Sequence, residues 1–241
     1  MAYFRYSTEI INRFPTIWGG IIYATGLTNT STPPGLLEAF EAEQETVRQR
    51  LGVTPPSEIA SLAAWRSTFS GFGVKPTQYR NAAEALLRRL SKQGTVPSIN
   101  TLVDIANLVS LRYQLPVAVF DQNAVAGTTT VRFASGDERF TDLGSDSISN
   151  PEPGEVVFVD DDGVVSARRW CWRQSTQSAA GSSTTDALMT VEGHHSDAQA
   201  DIARATHDLV GFLSQYQSQA DFTSATLSPD SPKFPSGDVA P

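Results

Sequence analysis

Cysteine is nearly absent from this chain: Cys171 stands alone among 241 residues, which excludes an internal disulfide framework. Flanked by Trp170 and Trp172 on a strand-like run, it is expected to face the opposite side as a small packed residue. Histidine is almost as scarce. His194 and His195 are adjacent and so point apart on a strand, and with His207 they do not make a zinc-ligand spacing, so exposed histidines are expected. The acidic pairs and runs Asp137-Glu138 and Asp160-Asp161-Asp162 fit turns better than metal sites, and neither a metal nor a cofactor is expected. No apolar run approaches the roughly 20 residues that a membrane span needs. The residues from Met1 to Glu9 lack the basic start and apolar core of a secretory signal. Cytoplasmic residence without a membrane partner is the resulting expectation. Positive charge is also in deficit, with 18 Lys and Arg against 26 Asp and Glu, a net of -8. A chain this acidic does not adhere in bulk to nucleic acid.

What is present is uneven. Residues 66 to 112 hold seven Lys or Arg against two Asp or Glu, so this segment carries +5 and the remainder -13. Such a local field suits a focused anionic ligand. The alternative is that Arg88, Arg89 and Lys92 are a solvated helix face. Hydrophobic residues make up 40% of the chain, enough for one large domain or two small ones with a substantial core.

Periodicity predicts a mixed α/β fold. Ile10 to Thr25 reads as two short extended segments broken at Pro15 and Gly19-Gly20. A helix over 36–51 follows, with Arg48 and Arg50 late and Gly52 at the stop position. Ser57 is expected to cap a short helix to about Ser67, and Ser70 to Pro76 to form a loop that resembles no phosphate-loop fingerprint. Thr77 is expected to cap a helix ending at Gln93 before Gly94, with Glu84 supporting Arg88 four residues on. Strands are expected over 115–120, 128–134, 155–160, 164–172 and 184–191, with a hairpin at Asp161-Asp162-Gly163. Ser196 and Gln199 read as a capping box for a helix to about Gln217, and the Ser/Pro/Asp-rich end from Thr223 as poorly ordered. The expected organisation is therefore a single domain over 1–222 with a tail over 223–241.

Three sets of polar residues stand out. Arg80 falls in the first turn of its expected helix, where a cation opposes the helix dipole, and so calls for an acidic partner or an anionic ligand. The helix expected over 98–112 is apolar nearly all round, yet Asn100, Asp104 and Asn107 lie within about 60° on one face. Buried amides and a carboxylate either brace neighbouring backbone or line a pocket. Finally, Arg168-Arg169-Trp170-Cys171-Trp172-Arg173 sets arginines beside tryptophans, which serves either base stacking or packing with cation–π contact. No Ser-His-Asp order is recognisable.

These segments resemble the B3/4 domain family, the tRNA-binding and editing module of the phenylalanyl-tRNA synthetase beta subunit, which also occurs as freestanding proteins. P-S-I-N-T-L-V-D-I-A-N-L-V-S-L-R-Y-Q-L-P-V-A-V-F-D is similar to the synthetase's I-N-x-V-V-D-x-T-N-Y-V followed by its Q-P-x-H-A-F-D stretch. T-T-D-A-L-M is similar to its T-T-D-V-L-L. The freestanding branch is closer still, through W-R-x-x-F-x-G-F-G-x-K-P-x-x-Y-R, E-A-L-L-R-R and R-R-W-x-W-R. The resemblance covers about Trp65 to Val191.

It implies a compact α/β domain with a central mixed sheet, flanking helices and a central pocket. In the synthetase that pocket hydrolyses wrongly attached tyrosine from the 3′ end of tRNA. Asn107 stands where the family pocket has its asparagine, Ala106 where threonine is common, and Ala118 where the editing histidine stands. The region around Arg173-Gln174-Ser175-Thr176 replaces a G-G-E segment. An aminoacyl ester is already activated, so positioning and oxyanion stabilisation can suffice without those groups. The resemblance thus implies Asn107, Arg80, Gln174 and Ser175 as candidate catalytic residues of an aminoacyl-tRNA deacylase. Asn100, Asp104, Ala106, Ala118, Arg169 and Trp170 are the candidate substrate-binding residues. The partner implied is the aminoacylated 3′ end of tRNA. The other reading is a non-catalytic module that binds tRNA, a free amino acid or another small ligand.

Overall fold

The computed structural model describes residues 4–235. In chain order the elements are β1 (Phe4–Tyr6), α1 (Thr8–Arg13), β2 (Trp18–Thr25), α2 (Pro34–Leu51), α3 (Ala60–Gly71), α4 (Ala82–Gln93), α5 (Thr101–Tyr113), β3 (Val117–Asp121) and β4 (Thr129–Phe133). There follow β5 (Phe140–Thr141), β6 (Ile148–Ser149), β7 (Val156–Val159), β8 (Val165–Arg168), β9 (Arg173–Gln174), β10 (Ala187–Gly193), α6 (Ala198–Tyr216), β11 (Asp221–Leu227) and β12 (Lys233–Phe234). The mixed α/β class expected from periodicity is what forms. One sheet runs β12-β1-β4-β7-β8-β9, with β1 and β4 parallel; a second, wholly antiparallel, runs β11-β2-β10-β3.

Within the second sheet β10 is buried on both faces, and the sheet's alternation divides two cores. Ile22, Ala24, Val119, Ala187, Met189 and Val191 face the helical layer, where Phe40, Leu87, Leu108 and Leu209 meet them. Their neighbours Ile21, Phe120 and Leu188 face the other way, onto Phe4, Tyr6, Val131 and Phe158 of the first sheet. Each such large side chain contributes about 1.5–3 kcal/mol by leaving water. Because successive side chains alternate, Ala118, Thr190 and Glu192 fall on the inter-sheet side along with Phe120 and Leu188. That face carries the site described below.

Several expected boundaries move, each for a local reason. The stretch over 10–25 is not a broken pair of extended segments: its first part is α1, capped by Ser7, and Gly19-Gly20 lie inside β2. The glycines mark close approach. A Cβ on Gly19 would sit 2.2 Å from the Tyr6 hydroxyl, and one on Gly20 would sit 2.0 Å from Thr206 Oγ1 of α6. The helix expected from Ser57 begins at Ala60, after a 3₁₀ turn over Pro56–Glu58. Thr77 lies in a turn closed by Tyr79 N–H to Lys75 C=O, and Asn81 caps α4 by accepting from Glu84 N–H at 2.9 Å. Asn100 likewise caps α5, accepting from Val103 N–H at 3.0 Å. Ser196 caps nothing; α6 starts behind Asp197 without a side-chain cap bond.

The expected tail is also partly structured. Residues of β11 pair with β2 from Asp221↔Thr25 to Leu227↔Gly19, and β12 pairs with β1 at Phe4↔Phe234. The segment thus supplies an edge strand to each sheet, polar outside and apolar at Leu227 and Phe234, which is why its composition reads as a tail. Residues 236–241 of that tail lie outside the described residues.

Gly19→Ala is expected to destabilise the fold by about 3 kcal/mol, the order of an overpacked contact plus a displaced buried hydrogen bond. Denaturant unfolding at neutral pH measures it.

Candidate active site

The open edge of β3 faces α4 and α5, and a groove of about 330 Å³ runs along it. Ala82, Ala85 and Leu86 of α4, Val103, Ala106 and Asn107 of α5, Val117 to Val119 of β3 and Gln174 of β9 line it. Gln174 crosses the strand edge, its Nε2 donating to Val119 C=O at 2.6 Å and to Ser178 C=O at 3.2 Å. Asn107 is half-buried, and its amide has no hydrogen-bond partner among the described residues.

A smaller chamber of about 80 Å³ adjoins the groove, sharing Ala82, Val117, Ala118 and Gln174 with it. It lies between the sheets. Phe120, Phe158, Trp170, Cys171, Thr190 and Glu192 are among its walls. Thr190 stands directly opposite Ala118 in the β10–β3 register. Glu192 is 1% exposed, and its Oε1 accepts from Tyr6 Oη at 2.8 Å and from Trp170 Nε1 at 3.0 Å. Burial pushes its pKa up to about 7 against the lowering effect of those two donors. Burial and the neighbouring Glu192 also raise Cys171, so its sulfur is a neutral thiol rather than a nucleophilic thiolate.

Trp170 reaches this node through an unusual turn. Arg169 and Trp170 have φ of 45° and 63°, left-handed conformations that a large side chain rarely adopts. The turn sends the Trp170 indole inward and leaves Arg169 outside. There the Arg169 guanidinium lies 4.0 Å from the Tyr79 ring centroid and 4.6 Å from that of Trp172, and pairs with Glu155 at 2.6 Å. These contacts are packing with cation–π interaction, one of the two uses expected of this motif.

The structure gathers Ala106, Asn107, Ala118 and Gln174 in the groove and Trp170 in the adjoining chamber. The other candidates stand apart. Asn100 caps α5 and donates to Ala180 C=O. Asp104 is fully buried and braces backbone and hydroxyls, accepting from Thr32 Oγ1 at 2.6 Å, from Ile99 N–H at 2.9 Å and from Ser98 Oγ. Ser175 is fully buried, and its Oγ accepts from Gln177 N–H. Arg169 faces a separate cavity beside Lys75 and Glu152. Arg80 precedes the cap of α4 instead of occupying its first turn, with its Nε 3.8 Å from Glu84 Oε1.

Glu84 accounts for much of the positive segment. It is fully buried and is also met by Arg66 at 3.0 Å and Arg88 at 2.9 Å, while Arg112 is matched by Glu43 and Asp208. Arg88 is thus tied down, whereas Arg89 and Lys92 are exposed as a helix face. His194 and His195 are not exposed as expected. His194 packs 4.6 Å from the Trp65 ring centroid and its pKa falls to about 3 by burial, and His195 meets Asp201 at 2.8 Å. Glu192, Tyr6 and Thr190 escaped the sequence reading. Their one signal was an acid ending an otherwise apolar strand pattern, A-L-M-T-V-E.

A family model described as the B3/4 domain matches residues 64–211, more than half of the chain. The chain belongs to the B3/4 domain family. A curated relative, the phenylalanine–tRNA ligase beta subunit of Fusobacterium nucleatum, is 31% identical over 110 residues. That match takes in 45% of this chain and 13% of the relative, so this B3/4 protein corresponds to a small part of that subunit. A solved N-terminal fragment of the phenylalanyl-tRNA synthetase beta subunit from Pyrococcus horikoshii aligns with a TM-score of 0.49 and 10% identity, covering 93% of this chain and 54% of that one. Among the described residues of this B3/4 chain, no helix is long and apolar enough to cross a membrane, and no group of three or more His, Cys, Asp or Glu could hold a metal.

Two of the shifted groups in the B3/4 core oppose one another in pH. Between an unfolded Glu value near 4.5 and about 7, unfolding releases the Glu192 proton, so stability falls as pH rises. Between about 3 and an unfolded His value near 6.5, unfolding takes a proton onto His194, so stability falls as pH drops. Glu192→Gln keeps the acceptor and removes the first slope. From pH 7 to 4.5 the variant is expected to lose about 3 kcal/mol relative to the parent, measured by urea unfolding across that range.

Proposed function

We propose that this chain is an editing-type deacylase acting in trans: it takes the aminoacylated 3′ end of a tRNA into the groove and hydrolyses the ester. The observation that supports this most directly is the meeting of Ala106, Asn107, Ala118 and Gln174, from three separate elements, in one open groove. In this reading water adds to the ester carbonyl carbon. The Asn107 amide donates to the developing oxyanion, and the carbon–oxygen bond to the ribose breaks, with the proton passing to the ribose oxygen. The neighbouring ribose hydroxyl assists. Such preorganised donation and positioning can supply most of the acceleration for an activated ester. The exposed Arg89 and Lys92, on the same helix as groove residues Ala82, Ala85 and Leu86, would meet terminal phosphates.

One observation favours the alternative, a binding module without catalysis. The polar side chains of the groove are amides, and Gln174 Nε2 is already committed to backbone carbonyls. The position of the family histidine is Ala118. A site of this kind would hold an aminoacyl adenosine without a general base.

Deacylation of a panel of correctly and wrongly charged tRNAs separates the two. Selective hydrolysis is expected, with Asn107→Ala slowing it about 100-fold, the usual loss on removing an oxyanion donor, and Arg80→Ala changing it little. A rate equal to the uncatalysed background across the panel would leave the binding module.

A further inference from the structure

Beneath the groove, the chamber carries two polar groups that the fold leaves unused. Both hydrogen bonds to Glu192 reach Oε1, and among the described residues neither its Oε2 nor the Thr190 hydroxyl has a partner. Neither atom is sealed away: the buried polar atoms without partners lie elsewhere, and both residues line the chamber. An apolar packing site would fill this space with carbon, since an unmet buried polar group costs about 1–3 kcal/mol. We propose that the chamber is the side-chain subsite of this protein, and that Thr190 and Glu192 select a short side chain bearing a hydroxyl, of the serine or threonine class. The inference rests on the deacylase reading and names the substrate it acts on.

Size and chemistry each restrict the occupant. A chamber of about 80 Å³ fits the two or three heavy atoms of a serine or threonine side chain more closely than the seven or eight of phenylalanine or tyrosine. Ala118 opposite Thr190 leaves the entrance free, because only a methyl projects there. Polarity argues for a hydroxyl over a methyl or a charge. A carboxyl whose pKa is raised to about 7 is mostly protonated below that pH, and with Oε1 already accepting twice it then carries its proton on Oε2 and donates from it. The Thr190 hydroxyl can accept. A substrate hydroxyl does both at once, whereas an ammonium cannot accept and a carboxylate cannot donate. Sites that hydrogen-bond a substrate hydroxyl discriminate strongly against the analogue lacking it.

The test is calorimetric binding of non-hydrolysable 3′-aminoacylamino-adenosines carrying serine, threonine, alanine, valine and phenylalanine to the full chain. The variants are Thr190→Val, which preserves shape, and Ala118→Leu, which blocks the entrance, each checked for parental thermal unfolding. Serine and threonine forms are expected to bind more than about 10-fold tighter than alanine and valine forms. Thr190→Val should erase most of that ratio, and Ala118→Leu should abolish tight binding. Equal affinities, a preference for the apolar or aromatic forms, or no binding at all would overturn the subsite. Deacylation of the charged tRNA panel distinguishes the two failures: hydrolysis with some other side-chain ranking sinks the subsite alone, whereas no hydrolysis removes the reading beneath it.

Discussion

One carboxyl group joins the two larger sheets of this protein. Glu192 lies at the end of a strand in the four-stranded sheet, and it accepts from Tyr6 of the six-stranded sheet and from Trp170 of the turn that ends β8. An isolated charge there would be very costly, so the group resolves the conflict by holding its proton to about pH 7 and by accepting two hydrogen bonds. Much of the surrounding sequence serves this contact. Gly19 leaves room for the Tyr6 hydroxyl, the left-handed turn at Arg169 and Trp170 aims the indole, and Trp65 donates to the Glu192 carbonyl.

The same contact shapes the site. Because Glu192, Thr190 and Ala118 share the inter-sheet face, the polar node sits at the floor of a chamber and not in sealed packing. The groove above it is made by different means, from the exposed edge of β3 and the faces of α4 and α5. Edge strand and node together give an outer space lined by amides and an inner one lined by rings and two unused oxygens. An ester placed across Ala118 would have its reacting carbon in the first space and its side chain in the second.

Much of the fold was legible because its signals are local. Helical spacing, Gly52 and Gly94 marked the ends of α2 and α4, and alternating apolar runs marked the strands. The family-like segment around Asn107 and Ala118 runs along the groove. What was not legible depends on contacts distant in sequence. Gly19-Gly20 reads as a break until Tyr6 and Thr206 are seen against it, and β11 reads as a tail until its partner β2 is known. The cations over 66–112 read as a field for a ligand, yet Arg66, Arg80 and Arg88 converge on the buried Glu84. Asn100 and Asp104 shared a face with Asn107 in the helical pattern, but capping and bracing claimed them first. Glu192 was missed because a strand buried on both faces has no polar side to make one acid stand out.

The sheet junction and the chamber both depend on the protonated Glu192 where they meet. The most direct test is the pH titration of the Glu192 side-chain carboxyl by ¹³C NMR, with Glu192→Gln identifying the resonance. A midpoint near 7 is the predicted result, moving when Tyr6 is replaced by Phe; a midpoint in the ordinary carboxylate range, unmoved by that change, would contradict it.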